Sequence, residues 1–121
     1  MSATNRGAKR RESDFYVTPR SAIDAFLDVF EMPWMSITEP CAGNGAIIKA
    51  ISEKMPRKLI TAVEIRKEEH DNLLETGADW IHIKDFLKWK PFHPVDVFIT
   101  NPPYSIAQEI IEHCFKIAPN A

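Results

Sequence analysis

Cysteine is nearly absent from this chain. Cys41 and Cys114 stand 73 positions apart with no CxxC spacing, which excludes a disulfide framework and suits a reducing compartment. His70, His82, His93 and His113 form no metal-ligand pattern with them, so no metal is expected. No run approaches the roughly 18 apolar residues of a membrane span, and the first thirty residues hold no apolar signal-peptide core. The expectation is a cytoplasmic chain with no membrane partner. Strong charge of one sign is missing as well. The net charge is -2 and the pI about 6.1, so the bulk balance does not announce a nucleic-acid binder. Internal repeats are absent.

What is present is a core. At 121 residues and 45% apolar content, the chain suits one small ordered domain. Charge is concentrated at one place: Arg6, Lys9, Arg10 and Arg11 lie in a polar opening segment, 1–13. This segment reads either as a solvated tail or as an arm that touches phosphates.

Hydrophobic spacing then sets the elements. Ile23, Phe26, Leu27 and Phe30 recur at helical intervals and predict a helix over about 19–31, with Thr18 as N-cap and Pro19 in the first turn. Residues 34–39 read as a strand, 46–55 as a helix, and the β-branched run 58–64 as a second strand. A polar helix over 66–76 follows, with Leu73 and Leu74 inward and Gly77 as the residue that ends it. Residues 80–83 read as a third strand. The apolar run 95–100 reads as a fourth, buried on both faces. Ser105 and Gln108 suggest a capping box for a last helix, with Ile106, Ile110, Ile111 and Cys114 inside. Strands alternating with helices predict an α/β fold with a parallel sheet. Such sheets bind ligands beyond the carboxyl ends of their strands.

Four strand ends therefore matter. The first is Glu39-Pro40-Cys41-Ala42-Gly43-Asn44-Gly45. Its glycines permit a sharp turn and a close ligand approach, though neither GxGxxG nor a GK[ST] ending is present. A carboxylate at Glu39 repels phosphate and attracts an ammonium. The segment reads either as a plain strand-to-helix turn or as a cradle for a ligand with an amino-acid moiety. Glu64 ends the second strand, 19 residues after Gly45. It reads either as an acceptor for ribose hydroxyls or as a charge paired with Arg66 or Lys67. Asp85 follows the third strand and can either accept from an exocyclic amine or cap a turn, with Phe86 beside a flat ring. Ammonium, ribose and adenine amine together describe S-adenosylmethionine (SAM).

The fourth end is Asn101-Pro102-Pro103-Tyr104. Asn101 offers an amide oxygen, Pro102 a carbonyl in a fixed direction, and Tyr104 a face on which a base can stack. Two acceptors beside an aromatic face suit an amine on a planar ring. They stabilise the charge that develops as such a nitrogen attacks a methyl group.

Taken together, these segments resemble the class I SAM-dependent methyltransferases, specifically the N6-adenine DNA methyltransferases. EPCAGNGA is similar to their motif I, Glu64 to the acid of motif II, Asp85-Phe86 to motif III and NPPY to motif IV. Phe15-Tyr16-Val17-Thr18-Pro19 resembles the F-Y-x-T-P segment of phage and bacterial members. The resemblance implies a Rossmann-like domain over 14–121, with strand order 3-2-1-4 and the fourth strand at an edge. It implies that Glu39, Cys41, Gly43 and Gly45 hold the methionine part of SAM, with Phe15, Tyr16 and Thr18 closing over it. Glu64 would hold the ribose, and Ile65 would lie against the adenine. Asp85 would take the adenine amine, while Phe86 would give its backbone N–H to the ring. Asn101, Pro102, Pro103 and Tyr104 would hold the target adenine, flipped out of DNA.

The same resemblance extends to partners and location. Family members continue past motif IV with about three more strands, so a shortened chain and an apolar edge beside the fourth strand are expected. A missing C-terminal part, a recognition subunit or a second copy would then complete the protein. The setting implied is the cytoplasm of a bacterial or phage-infected cell. The motif is shared by enzymes that methylate RNA bases or a protein glutamine amide. A non-catalytic SAM-binding or partner-binding remnant is the other expectation.

Overall fold

The computed structural model describes residues 17–30 and 35–121. The tail at 1–13, Phe15, Tyr16 and the predicted strand start at Trp34 lie outside the described residues. Four parallel strands form one sheet in the order β3-β2-β1-β4: β1 Ser36–Glu39, β2 Leu59–Glu64, β3 Trp80–Ile83 and β4 Val97–Phe98. The helices are α1 Arg20–Val29, α2 Ala46–Lys54, α3 His70–Leu74 and α4 Ala107–Ile117. The α/β Rossmann-like architecture and the expected strand order are both present, with β4 at one edge.

The core follows from the apolar spacing. Ile23 and Leu27 of α1 and Ile48 and Ile51 of α2 pack with Ile37, Ile60, Ala62 and Leu73 on one side of the sheet. Across the sheet, Val63, Phe86, Trp89 and Ile110 form a second cluster. Surface ion pairs from Arg20 to Glu53 (2.9 Å) and from Lys54 to Asp28 (2.9 Å) tie α1 to α2. Both are exposed, so solvent screening leaves them little net stabilising effect.

Several local expectations are corrected. Thr18 does not cap α1. Pro19 occupies that position, and its carbonyl takes the Ala22 and Ile23 amides. The stretch predicted as one helix over 66–76 opens as a 3-10 turn, Lys67–Glu69, because Glu69 turns inward. There its carboxylate accepts from Arg66 Nη2 at 2.6 Å and Asn72 Nδ2 at 2.7 Å. On the short α3 that follows, only Leu73 reaches the core, and Leu74 is 61% exposed.

The fourth strand is shorter and less buried than its apolar run suggested. Val95 and Val97 are buried, while Phe98, Ile99 and Thr100 are half-buried because β4 has a neighbour on one side only. The Asp96 carboxylate leaves the strand to accept the Met35 and Ser36 amides at 3.0 and 2.9 Å. α4 starts at Ala107 after a 3-10 turn, Tyr104–Ile106. Ile106 is its N-cap residue, and the Gln108 amide goes to Glu112. Ile110 is buried and Cys114 half-buried, but Ile111 is 53% exposed, contrary to its expected inward position. The expected apolar edge is there: a groove of about 580 Å³ beside β4 and α4, lined by Val97, Phe98, Ile111 and Phe115.

Candidate functional site

The carboxyl ends of β1, β2 and β3 and the corner after β4 open into one cleft of about 280 Å³. That volume is at the lower end of the range for small-molecule sites. At the head of the cleft stands Glu39, the last residue of β1 and only 2% exposed. Its Oε1 has no hydrogen-bond partner. Burial holds its carboxyl well above the ordinary carboxylate range, and the nearby Glu64 charge adds to this. The Thr100 hydroxyl opposes the rise from close by without making a well-formed hydrogen bond. An acid in this state is poised for a cationic partner.

The glycine turn divides its labour. Gly43 (φ +57°) lines the cleft and gives its amide to Glu64 Oε1 at 2.9 Å. Gly45 (φ +85°), expected to hold the cofactor, caps α2 and is not among the residues that line the cleft. A Cβ there would collide with Thr76 Cγ2, so the glycine is required by packing against the turn after α3. Cys41 lines the cleft. Burial, followed by the Glu39 and Glu64 charges, pushes its thiol up to about 12.

Glu64 is buried at the end of β2. Its Oε2 accepts from the Arg66 amide at 2.9 Å and from Arg66 Nε at 3.1 Å. The predicted pairing with Arg66 and the predicted position at the cleft are thus both realised. Ile65 presents an exposed apolar side chain to the same cleft. Asp85 lines the cleft too, and its Oδ1 caps the 3-10 turn Phe86–Lys88 by accepting the Leu87 amide at 3.0 Å. The Phe86 side chain is buried and stacks on Trp89, so its ring serves the second core.

At the mouth, Asn101 and Pro103 line the cleft, but Pro102 faces the β4 groove. Tyr104 lies outside both cavities and is 89% exposed. Asn101 Nδ2 donates to Thr18 Oγ1 at 3.0 Å, across 83 residues of chain. Thr18 also lines the cleft, so the upstream segment meets the corner there.

Of the residues singled out from sequence, the cleft gathers Thr18, Glu39, Cys41, Gly43, Glu64, Ile65, Asp85, Phe86, Asn101 and Pro103. Phe15 and Tyr16 lie outside the described residues. Sequence reasoning missed Thr100, whose buried Oγ1 lacks a partner beside Glu39. It also missed Ile47, Ile106 and Ile110, which furnish apolar cleft wall. Helical spacing marked Ile110 for the core, and only the crossing of α4 over the sheet brings it to the site. Among the described residues no group of three or more His, Cys, Asp or Glu side chains is placed to hold a metal, and no helix is long and apolar enough to cross a membrane.

No family model matches the chain. Among solved structures it is similar to the plantazolicin methyltransferase BpumL in complex with a pentazolic desmethylPZN analog and SAH. That match has 18% identity and a TM-score of 0.64, over 94% of this chain and 47% of that one. The same enzyme with a monoazolic analog and SAH matches at 15% identity and a TM-score of 0.60, over 82% of this chain and 40% of that one. The chain spans less than half the length of the structures it matches. At these identities the likeness concerns architecture: the chain has the α/β Rossmann-like fold on which that methyltransferase is built.

Proposed function

We propose that the cleft binds SAM and that the corner at Asn101 presents a planar amine for methylation, the N6 amine of adenine in DNA. The observation that carries this reading is the convergence of all the strand ends on one cleft, with a buried acid whose Oε1 is unpartnered at its head and a carboxamide at its mouth. The fit to SAM rests on the donor set. Glu39 Oε1 is an orphan suited to an ammonium. Glu64 is fixed at the middle of the cleft and retains acceptor capacity for ribose hydroxyls. Ile65 offers an apolar face to a ring, and Asp85 an acceptor to its amine. The matched methyltransferase structures contain SAH, the demethylated form of SAM, which supports the same cofactor here.

When bound, SAM would supply an electrophilic methyl group. The chain's own part is to orient the acceptor. The Asn101 amide oxygen accepts one amine hydrogen and stabilises the positive charge that develops on the nitrogen; Pro102 faces the β4 groove in this structure, and its carbonyl would take the other hydrogen only after turning toward the cleft. No strong base is needed before the methyl moves. The proton lost afterwards passes to solvent at the exposed corner. An adenine inside a duplex cannot reach this corner, so the base is flipped. Tyr104 is exposed and available for stacking once the base arrives.

The test is transfer of label from SAM to duplex DNA, RNA and protein in parallel, with Asn101→Ala as control. Label in adenine N6 that is lost in the control is the expected result. Label in DNA that persists in Asn101→Ala would sink the mechanism, and label in RNA or protein alone would replace the acceptor. A second reading, a SAM-binding chain that does not itself transfer, is favoured by the position of Tyr104 and Pro102 outside the cleft. SAM binding by calorimetry without transfer to any acceptor would select it.

A further inference from the structure

Resting on that reading, we propose that Thr18 is a positioning residue for methyl transfer: its hydroxyl turns the Asn101 carboxamide so that the oxygen faces the acceptor amine. A terminal carboxamide has two nearly isosteric orientations, related by a half-turn about its last torsion. Only the orientation that presents oxygen to an NH₂ group accepts its hydrogen. The other sets donor against donor. The neighbouring backbone does not choose between them, because it fixes the Asn101 Cα but leaves the side-chain torsion broad. In this structure Thr18 Oγ1 takes the Nδ2 hydrogen at 3.0 Å, the orientation that turns the carboxamide oxygen away from Thr18 and leaves it free for the acceptor amine.

Thr18 is able to impose an orientation because it is itself held. The next residue, Pro19, has a restricted φ, and its carbonyl accepts from Ala22 at 3.0 Å and Ile23 at 3.2 Å. Ile23 and Leu27 then bury the helix in the core. The anchor is therefore the sheet, reached through α1. Asn101 is held independently, since Ile99 donates to Thr38 of β1 at 3.2 Å and two prolines follow. Two segments that enter from opposite ends of the chain meet through one hydrogen bond at the cleft mouth.

The role differs from cofactor contact, which the F-Y-x-T-P resemblance alone would assign to Thr18. A residue that only touches SAM alters its binding, whereas one that orients Asn101 alters the transfer step. The experiment is steady-state methyl transfer with labelled SAM and the acceptor found in the screen above, comparing wild type, Thr18→Val and Thr18→Ser. SAM affinity is measured for each by calorimetry. Valine keeps the shape and removes the acceptor; serine restores it. The expected result is a kcat about fivefold or more lower in Thr18→Val, SAM affinity within about twofold of wild type, and recovery in Thr18→Ser. An unchanged kcat in Thr18→Val overturns the proposal. Weakened SAM binding at constant kcat does so as well, and so does a serine variant as slow as valine. Absence of transfer by wild type to any acceptor overturns the methyl-transfer reading, and this proposal with it, whether or not SAM binds.

Discussion

The amide of Gly43 and the carboxylate of Glu64 meet at 2.9 Å, so the turn after β1 is locked to the end of β2. One carboxylate also closes the loop that follows β2, through the Arg66 amide and guanidinium. Truncating this buried hub leaves three donors without their acceptor. Glu64→Ala is expected to lower stability by about 3 kcal/mol in urea unfolding and to remove measurable SAM binding. Glu64→Gln keeps the shape and one acceptor oxygen, and is expected to lose less stability while still weakening the cofactor.

Glu39 gives the cleft a pH dependence whose sign is fixed by its burial. The folded chain holds this carboxyl well above its usual value of about 4.5. Its contribution to stability is therefore complete below that value and is lost as pH rises through the folded pKa. The titratable groups that act on it are Glu64 and the Cys41 thiol, neither of which supplies a positive charge, while Arg66 is engaged with Glu64 and Glu69. The ligand-free protein is expected to lose stability over this window. Glu39→Gln is expected to flatten the profile. Binding of an ammonium ligand runs the other way and tightens as pH rises and the carboxyl ionises. Thermal melts and calorimetric titrations across pH check both signs.

Gly45 and Gly43 are expected to separate packing from binding. Gly45→Ala introduces a Cβ into Thr76 and Leu73 at a left-handed φ and should cost about 2–4 kcal/mol. At a temperature where the variant is still folded, SAM affinity should change little. Gly43→Ala places its methyl at the cleft and should weaken SAM more than it lowers the melting midpoint.

Ile110 and Ile111 are adjacent and chemically identical, yet the packing of α4 treats them differently. Ile110→Ala is expected to cost about 2–4 kcal/mol, and Ile111→Ala under about 1 kcal/mol, by chemical denaturation. Equal losses would contradict the helix orientation.

The strands that end the cleft were legible because their chemistry is local. β-Branched runs stop at Glu39 and Glu64, and an acid or a proline marks each exit. Helical spacing located α1 and α2 to within a residue or two. Contacts that depend on distant partners were not legible. Nothing in the neighbourhood of Thr18 shows that its hydroxyl is reserved for Asn101 instead of the helix start. Nothing around Glu69 marks it as buried, since its partners compensate a charge that looks solvated. The outward Ile111 and Leu74 sit on short helices, where two adjacent apolar residues cannot both face the sheet.

The order of the strands has a consequence for how the site is assembled in time. β1 meets β2, and β2 meets β3, through register pairs such as Ser36 with Leu59 and Thr61 with Trp80, near one another along the chain. β4 joins β1 only across a separation of 60 residues. Loop closure makes that the most entropically demanding step, so it is favoured to come last. The half of the cleft that would hold a cofactor can thus form and re-form without the corner that would hold an acceptor. Amide exchange should follow the same division, slow in β2 and faster in β4, so that local opening of the edge strand releases the acceptor side while the cofactor side stays closed.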